Sequence, residues 1–354
     1  MNSIGAKERA ASFVAKMNMD YDFKKKYAAL RIREFVQECD RRGLNYHVSV
    51  GGLDSITLYM YLKKLRIECP AISVSYLEDT SIQKIHHQLG IIRLQSAKRK
   101  DGTHWNKANI IQEFGFPVLS KEIASKIEML QNPSEKNKTV RHAIITGETG
   151  EYGGFRIGTR MKMAQKWLEL FGGPENENEG VNYKTAPFKV SDKCCYYLKE
   201  KPCDEWAKAH NSVPFLGLMA SEGGRRQKSL MLNGCNYFGS TAIRSAPFAI
   251  FQRQDLLRLA IELDVPVPEI YGEIKEDGCG GLCTTCAQRT GCSMCGFGIH
   301  LEKRPHRFDM LLRRNPKEWH YYMYEICQDP DGTKYGWARV LDYIGIGYDK
   351  EEDL

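Results

Sequence analysis

The chain has 354 residues, 42% of them hydrophobic and 27% charged, with a formal net charge of +7. That balance excludes disordered and collagen-like chains and supports one large or two ordinary domains with a core that needs no staples. No apolar run is long enough to cross a bilayer, so no membrane partner is expected, whereas a polyphosphate or nucleic-acid partner fits the moderate positive excess.

Taken in order, segment 1–16 mixes Lys7, Glu8, Arg9 and Lys16 with small side chains and has no uninterrupted apolar stretch of a secretory leader, so a cytoplasmic protein is expected. Cytosolic thiols stay reduced, and the 12 cysteines therefore argue for metal or catalysis rather than disulfides. Cys39, Cys69 and Cys327 stand apart and read as small buried hydrophobes. Phe23, Tyr27, Leu30, Phe35 and Val36 recur at mixed three- and four-residue spacing, which predicts an amphipathic helix ending near Gly43. Residues 46–50 read as a strand, 54–65 as a helix, 71–77 as a strand, 81–89 as a helix and 91–94 as a strand. This alternation is the pattern of βαβ units, so the expected fold class is α/β, Rossmann-type, with a mainly parallel sheet flanked by helices.

Further along, 121–130 predicts a helix, 142–146 a strand, 161–171 a helix and 214–219 a strand. Segment 253–263 predicts a helix stopped by Pro266 and Pro268, and the Glu- and Asn-rich stretch 172–180 a surface loop. From Tyr271 to Arg307 glycine, cysteine and basic residues dominate, and helices over 308–314 and 316–327 follow. The expected organisation is an N-terminal helical segment 1–45, a nucleotide-binding α/β domain 46–270, and a Cys-rich and helical region 271–354.

Ser49-Val50-Gly51-Gly52-Leu53-Asp54-Ser55 leads from strand to helix through adjacent glycines. Glycines let backbone N–H groups approach an anion, and the helix that follows adds its dipole. Asp54 is placed to hold Mg²⁺ or its waters, and Ser55 to donate to a phosphate oxygen. The segment is not a Walker A loop. It resembles the PP-loop of ATP pyrophosphatases, S-G-G-x-D-S, with Val50 where that motif has its first serine and Ser49 one place earlier. A second glycine stretch, Thr146-Gly147-Glu148-Thr149-Gly150, lacks dinucleotide-binding spacing and reads as a substrate-side loop.

Lys193-Cys194-Cys195-Tyr196-Tyr197-Leu198-Lys199 pairs adjacent cysteines, and Cys292-Ser293-Met294-Cys295 is a C-x-x-C turn. Together Cys194, Cys195, Cys292 and Cys295 make a four-thiolate set that suits zinc or an iron–sulfur cluster. Cys283-x-x-Cys286 ahead of Cys292-x-x-Cys295 offers an alternative local zinc knot, and Cys279 and Cys235 are further candidates for mixed sets.

The same residues carry a resemblance. Adjacent cysteines followed by C-x-x-C are similar to the [4Fe–4S] ligands of adenylyl-sulfate reductases. The stretch from Lys193 to Pro202 resembles the K-C-C-x-x-x-K-x-x-P pattern of the phosphoadenosine-phosphosulfate reductase family. Met219-Ala220-Ser221-Glu222-Gly223-Gly224-Arg225-Arg226 looks like that family's Ser-Glu…Arg nucleotide loop, and 289–300 like its C-terminal signature. The resemblance runs from Tyr46 to Tyr348. It implies an adenine-nucleotide α-hydrolase-like fold, a [4Fe–4S] cluster on Cys194, Cys195, Cys292 and Cys295, and ATP with Mg²⁺ held by Ser49, Gly51, Gly52, Leu53, Asp54, Ser55, Glu222, Arg225 and Arg226. Asp54, Ser55 and Arg226 are the catalytic candidates, with Lys121 a weaker one.

Two reactions follow from the resemblance. Family reductases act through a tail cysteine, and here no cysteine follows Cys327; the expectation is therefore no reduction of adenylyl sulfate or its 3′-phosphate. The favoured reading is ATP-dependent adenylation followed by sulfur insertion, as in tRNA-thiolating enzymes and the sulfur-inserting subunit of DNA phosphorothioation systems. A sulfur-donor protein or cysteine desulfurase would then be a partner, and nucleic acid a candidate acceptor. A third reading is a non-catalytic nucleic-acid module with a zinc knuckle, in which Arg289, Lys303, Arg304, His306 and Arg307 contact phosphates.

Overall fold

The computed structural model describes residues 3–148, 161–173, 183–240 and 242–353. The chain forms two compact units, each from two stretches: Met1–Gln95 with Lys199–Cys292, and Ser96–Leu198 with Ser293–Leu354. Residue 270, where a boundary is expected from composition, lies inside the first of these.

The first unit is built on a six-stranded sheet. Its strands β1 (Asn45–Ser49), β2 (Ala71–Ser73), β3 (Ile92–Arg93), β4 (Ser212–Leu216), β5 (Asn236–Phe238) and β6 (Ile243–Ser245) run in the order β3-β2-β1-β4-β6-β5. All neighbours are parallel except β5, an edge strand antiparallel to β6. The expected mainly parallel sheet flanked by helices is present. Because β1 is central, adjacent residues His47 and Val48 are both buried, as in strands covered on two faces.

Helices α1 (Ser3–Met17), α2 (Tyr21–Arg42), α3 (Leu53–Lys64) and α4 (Thr80–Gln88) precede or connect the first strands. The Asp20 carboxylate accepts the Phe23 N–H at 2.8 Å to start α2, and Gly43, at φ 64°, ends it in the left-handed region. One face of the sheet packs under α2, where Phe35 meets Phe215 of β4 with ring centroids 4.9 Å apart. The other face carries the Lys201–Ala209 helix, whose Trp206 ring lies 5.1 Å from His47. A hairpin of β7 (Ile274–Glu276) and β8 (Leu282–Thr284) completes this unit.

The second unit packs helices around rings. Trp337 is fully buried, its ring 5.0 Å from Phe116 and 5.2 Å from Phe308. A two-stranded ribbon of β9 (Cys327–Gln328) and β10 (Lys334–Tyr335) lies here. Two expectations are corrected. Residues 142–146 belong to the Lys138–Thr146 helix, because Ile144, one helical turn beyond Val140, and Ile145 bury against this core and override the strand preference of the β-branched run Ile144-Ile145-Thr146. The helix expected over 316–327 stops early: Pro316–His320 passes into a π-helix, Tyr321–Glu325, and Cys327 begins β9. Among the described residues no helix is long and apolar enough to cross a membrane.

Candidate functional site

From β1 the chain steps outward through β2 to β3, then returns to place β4 on the opposite side of β1. Connections leaving β1 and β4 therefore diverge, and an open α/β sheet has its ligand crevice at such a point, outside the carboxyl ends of the strands. The glycine pair Gly51-Gly52 follows β1 here, and Gly217 follows β4. A Cβ on Gly217 would come within 2.9 Å of the Ser55 backbone, so glycine is what lets β4 end against the first turn of α3.

Gly52 is the N-cap of α3 and makes no side-chain cap bond. A Cβ on it would lie 2.3 Å from the Tyr271 hydroxyl. That hydroxyl instead accepts the Leu53 N–H at 3.1 Å and bonds Thr290 Oγ1 at 2.7 Å. Leu53 itself is fully buried in the core, which leaves its N–H as its polar contribution. Val50, at the position of the motif's first serine, still belongs to the sheet: its N–H donates to the Ile72 carbonyl at 2.9 Å and its side chain is buried. Ser49 is half-buried within β1.

The Ser55 hydroxyl accepts the Gly51 N–H at 2.7 Å and donates to the Gly52 carbonyl at 3.0 Å, so it closes the loop on itself. The Asp54 carboxylate is 2.7 Å from Arg253 Nη1. Burial raises the Asp54 pKa above the ordinary carboxylate value; Arg253 opposes this, Glu222 adds to it, and Arg289 and Arg226 oppose it again. Glu222, in the Ala220–Glu222 turn, is itself bridged by Arg226 at 2.5 Å and Arg289 at 3.0 Å. Asp54 and Glu222 thus share one charge field with Arg226, Arg253 and Arg289. Arg225 lies in the adjoining Gly224–Asn233 helix, with its side chain outside the described residues.

Three further groups lie around the loop, and only Lys199 belongs to a motif. His86 Nε2 donates to the Gly51 carbonyl at 2.8 Å, and burial lowers the ring's pKa, which keeps it neutral and fixes that tautomer. Glu78 takes the Lys199 ammonium. Lys199 also bonds the Cys292 sulfur; burial works to lower its pKa, but Cys292 and Glu78 outweigh that and hold it well above the ordinary lysine value. One of the four expected cluster thiols therefore sits beside a firm cation. Sequence reading did not assign Tyr271, Thr290, His86, Glu78, Arg253 or Gly217 to the site, and apart from Thr290, which falls in the 289–300 signature, none of these has a local signal. Lys199 had one too, as the second lysine of the K-C-C-x-x-x-K stretch.

Cys194 and Cys195 lie in a short helical turn, Lys193–Cys195, followed by a π-helix, Tyr196–Glu200. The widened turn comes just before Pro202, which has no N–H for an α-ladder. Cys194 is buried, Cys195, Cys292 and Cys295 are half-buried, and none of the four is in a disulfide. Cys194, Cys195 and Cys295 belong to the second unit, and Cys292 is the last residue of the first. Their donor chemistry suits a thiolate-ligated metal. Among the described residues no group of three or more His, Cys, Asp or Glu side chains is gathered in a metal-holding arrangement.

Cys279 lies in the turn of the β7–β8 hairpin, Cys283 in β8 and Cys286 just after it, and the turn is pinned by the Asp277 carboxylate accepting the Cys279 and Gly281 N–H groups at 2.8 and 2.9 Å. Burial pushes the thiols of Cys39, Cys203, Cys235 and Cys327 up to about 11 and that of Cys69 to about 12, which makes them inert at neutral pH. Lys121 opens the Lys121–Gln131 helix behind its N-cap Ser120. Gly147 caps the Lys138–Thr146 helix at φ 81°, while Thr149 and Gly150 lie outside the described residues. No family model matches this chain, and no curated protein matches it.

Proposed function

We propose that the chain is an ATP-dependent adenylating and sulfur-transfer enzyme of the phosphoadenosine-phosphosulfate reductase family, with an adenine-nucleotide α-hydrolase-like first unit. The observation that carries this reading is the position of loop 51–55: it leads into the N-terminus of α3 at the β1/β4 switch point, in the charge field of Arg226, Arg253 and Arg289. Backbone N–H groups and the helix dipole would receive the phosphates there. Asp54 would hold Mg²⁺, which supplies charge neutralisation to the triphosphate. Arg226 and Arg289, both exposed at their outer edges, would offset the charge that develops as an acceptor oxygen attacks the α-phosphorus and pyrophosphate leaves. A sulfur nucleophile then displaces AMP from the adenylated acceptor, for which nucleic acid is a candidate.

Lys199 supports the sulfur half of this reading, because it sets an ammonium in hydrogen-bond contact with the Cys292 sulfur, where a metal-ligating or sulfur-carrying group would find a counter-charge. A [4Fe–4S] cluster on Cys194, Cys195, Cys292 and Cys295 would supply an iron site for the sulfur. The reductase alternative is disfavoured by Cys327, which is buried with its pKa pushed up to about 11 and so is no nucleophile at neutral pH. The test is anaerobic purification with iron and sulfide analysis, followed by an assay for AMP and pyrophosphate from ATP with tRNA and DNA acceptors. Iron with AMP formation is expected. Stoichiometric zinc without iron would refute the cluster, and release of ADP in place of AMP would refute the adenylation chemistry.

A further inference from the structure

Arg253 is the first residue of the Arg253–Glu262 helix, and its backbone is firmly placed. The Gln252 N–H donates to Asp255 Oδ2 at 2.7 Å, and the same carboxylate is paired with the buried Lys24 ammonium at 2.8 Å. From that anchor the guanidinium reaches Asp54, to which Nη1 donates at 2.7 Å. Its Nε and Nη2 are both buried and have no hydrogen-bond partner. These two nitrogens form one edge of the guanidinium, the side-on fork that matches two oxygens of a single phosphate. A buried charged donor left without an acceptor is costly, because its desolvation goes uncompensated.

We propose that Arg253 is an oxyanion fork for a phosphate of the nucleotide, aimed by Asp54 through Nη1 so that the Nε–Nη2 edge is left for two phosphate oxygens. The proposal rests on the nucleotide reading above and adds to it a residue outside the loop motif, together with a second role for Asp54. Asp54 sits in the first turn of α3, so a fork held by it addresses the same crevice as the helix N-terminus. Arg226 and Arg289 differ in that each already spends donors on Glu222. The free edge of Arg253 is shut off from water, so the groups over it must part as the ligand enters. The bond then forms in surroundings where a charge-assisted contact is stronger than in bulk solvent.

The test is calorimetric binding of ATP and of inorganic pyrophosphate to the full chain, in EDTA and in Mg²⁺, for wild type, Arg253→Ala, Arg253→Lys, Asp54→Ala and the Arg253→Ala/Asp54→Ala double variant. In EDTA the Arg253→Ala and Asp54→Ala variants should each bind pyrophosphate about tenfold to a hundredfold more weakly, as loss of a charged hydrogen bond implies. The double variant should lose no more than either single one. Arg253→Lys keeps the charge without the fork and should recover little. Wild-type affinity in both Arg253 variants would overturn the fork. A loss in Asp54→Ala confined to Mg²⁺ conditions would overturn its aiming role and leave it a metal ligand alone. Failure of wild type to bind either ligand would instead bring down the nucleotide reading, and the fork with it.

Discussion

The first unit builds its core on a mainly parallel sheet, with Phe35, Phe215, Phe248 and Phe251 buried among aliphatic side chains, and the second builds one from helices packed around rings. Ile56, Leu58, Leu256 and Leu257 are fully buried in the first, and the strands there also bury polar side chains, among them His47, Ser73, Ser212 and Ser245. In the second, Trp319, Trp337, Phe308 and Phe116 are at the centre, and the indole N–H groups of Trp319 and Trp337 are buried without a partner. A parallel sheet ends in a row of loops and helix N-termini that share one edge, so polar groups distant in sequence can converge there. Ring packing fills space well and offers no such edge. The loop, its arginines, Tyr271, His86 and Lys199 accordingly all fall in the first unit.

Removing a ring from the second core is the strongest way to break that contrast. Trp337→Ala should cost about 3–5 kcal/mol in denaturant unfolding, against about 0.5–1.5 for Ile56→Val in the first core. Equal losses would mean that the rings are not what holds the second unit together.

A buried polar group on the sheet sharpens it. His47 Nδ1 lies 2.8 Å from the Ser212 hydroxyl, and burial lowers its pKa from 6.5 to about 4. The unfolded ring gains its proton near 6.5 and the folded ring only near 4, so this contribution is complete above pH 6.5, is lost as the pH falls from 6.5 to 4, and changes no further below that. The shift amounts to roughly 3 kcal/mol. His47→Gln should flatten the stability profile across that window. An unchanged slope would place the acid sensitivity in other groups.

The same contrast explains what could be read from the chain. In the first unit the β1–α3 crossover was legible because a short apolar run, two glycines and an amphipathic helix follow one another, and the Asn45–Ser49 and Leu53–Lys64 bounds fall within a residue or so of those expected. Strands β5 and β6 were not, since three-residue strands leave no periodicity to count. In the second unit Ile144-Ile145-Thr146 has strand composition yet is helical, because burial on the ring core decides it. For the site, the motif located Gly51 to Ser55, Glu222 and Arg226. It could not locate Arg253 or Tyr271, whose place depends on a crossover that returns them to Asp54 and Leu53 from about 200 residues away.

The measurement that tests the central claim most directly is equilibrium binding of Mg²⁺·ATP to wild type and to Gly52→Ala. A Cβ at Gly52 would collide with the Tyr271 hydroxyl at 2.3 Å, in the mouth of the proposed phosphate site and at the polar end of a ring buried in the first core. Wild type should bind saturably, and Gly52→Ala should remain folded by circular dichroism yet bind at least about tenfold more weakly. Equal affinity in the two proteins would contradict it, since the nucleotide would then bind somewhere other than the turn between β1 and α3.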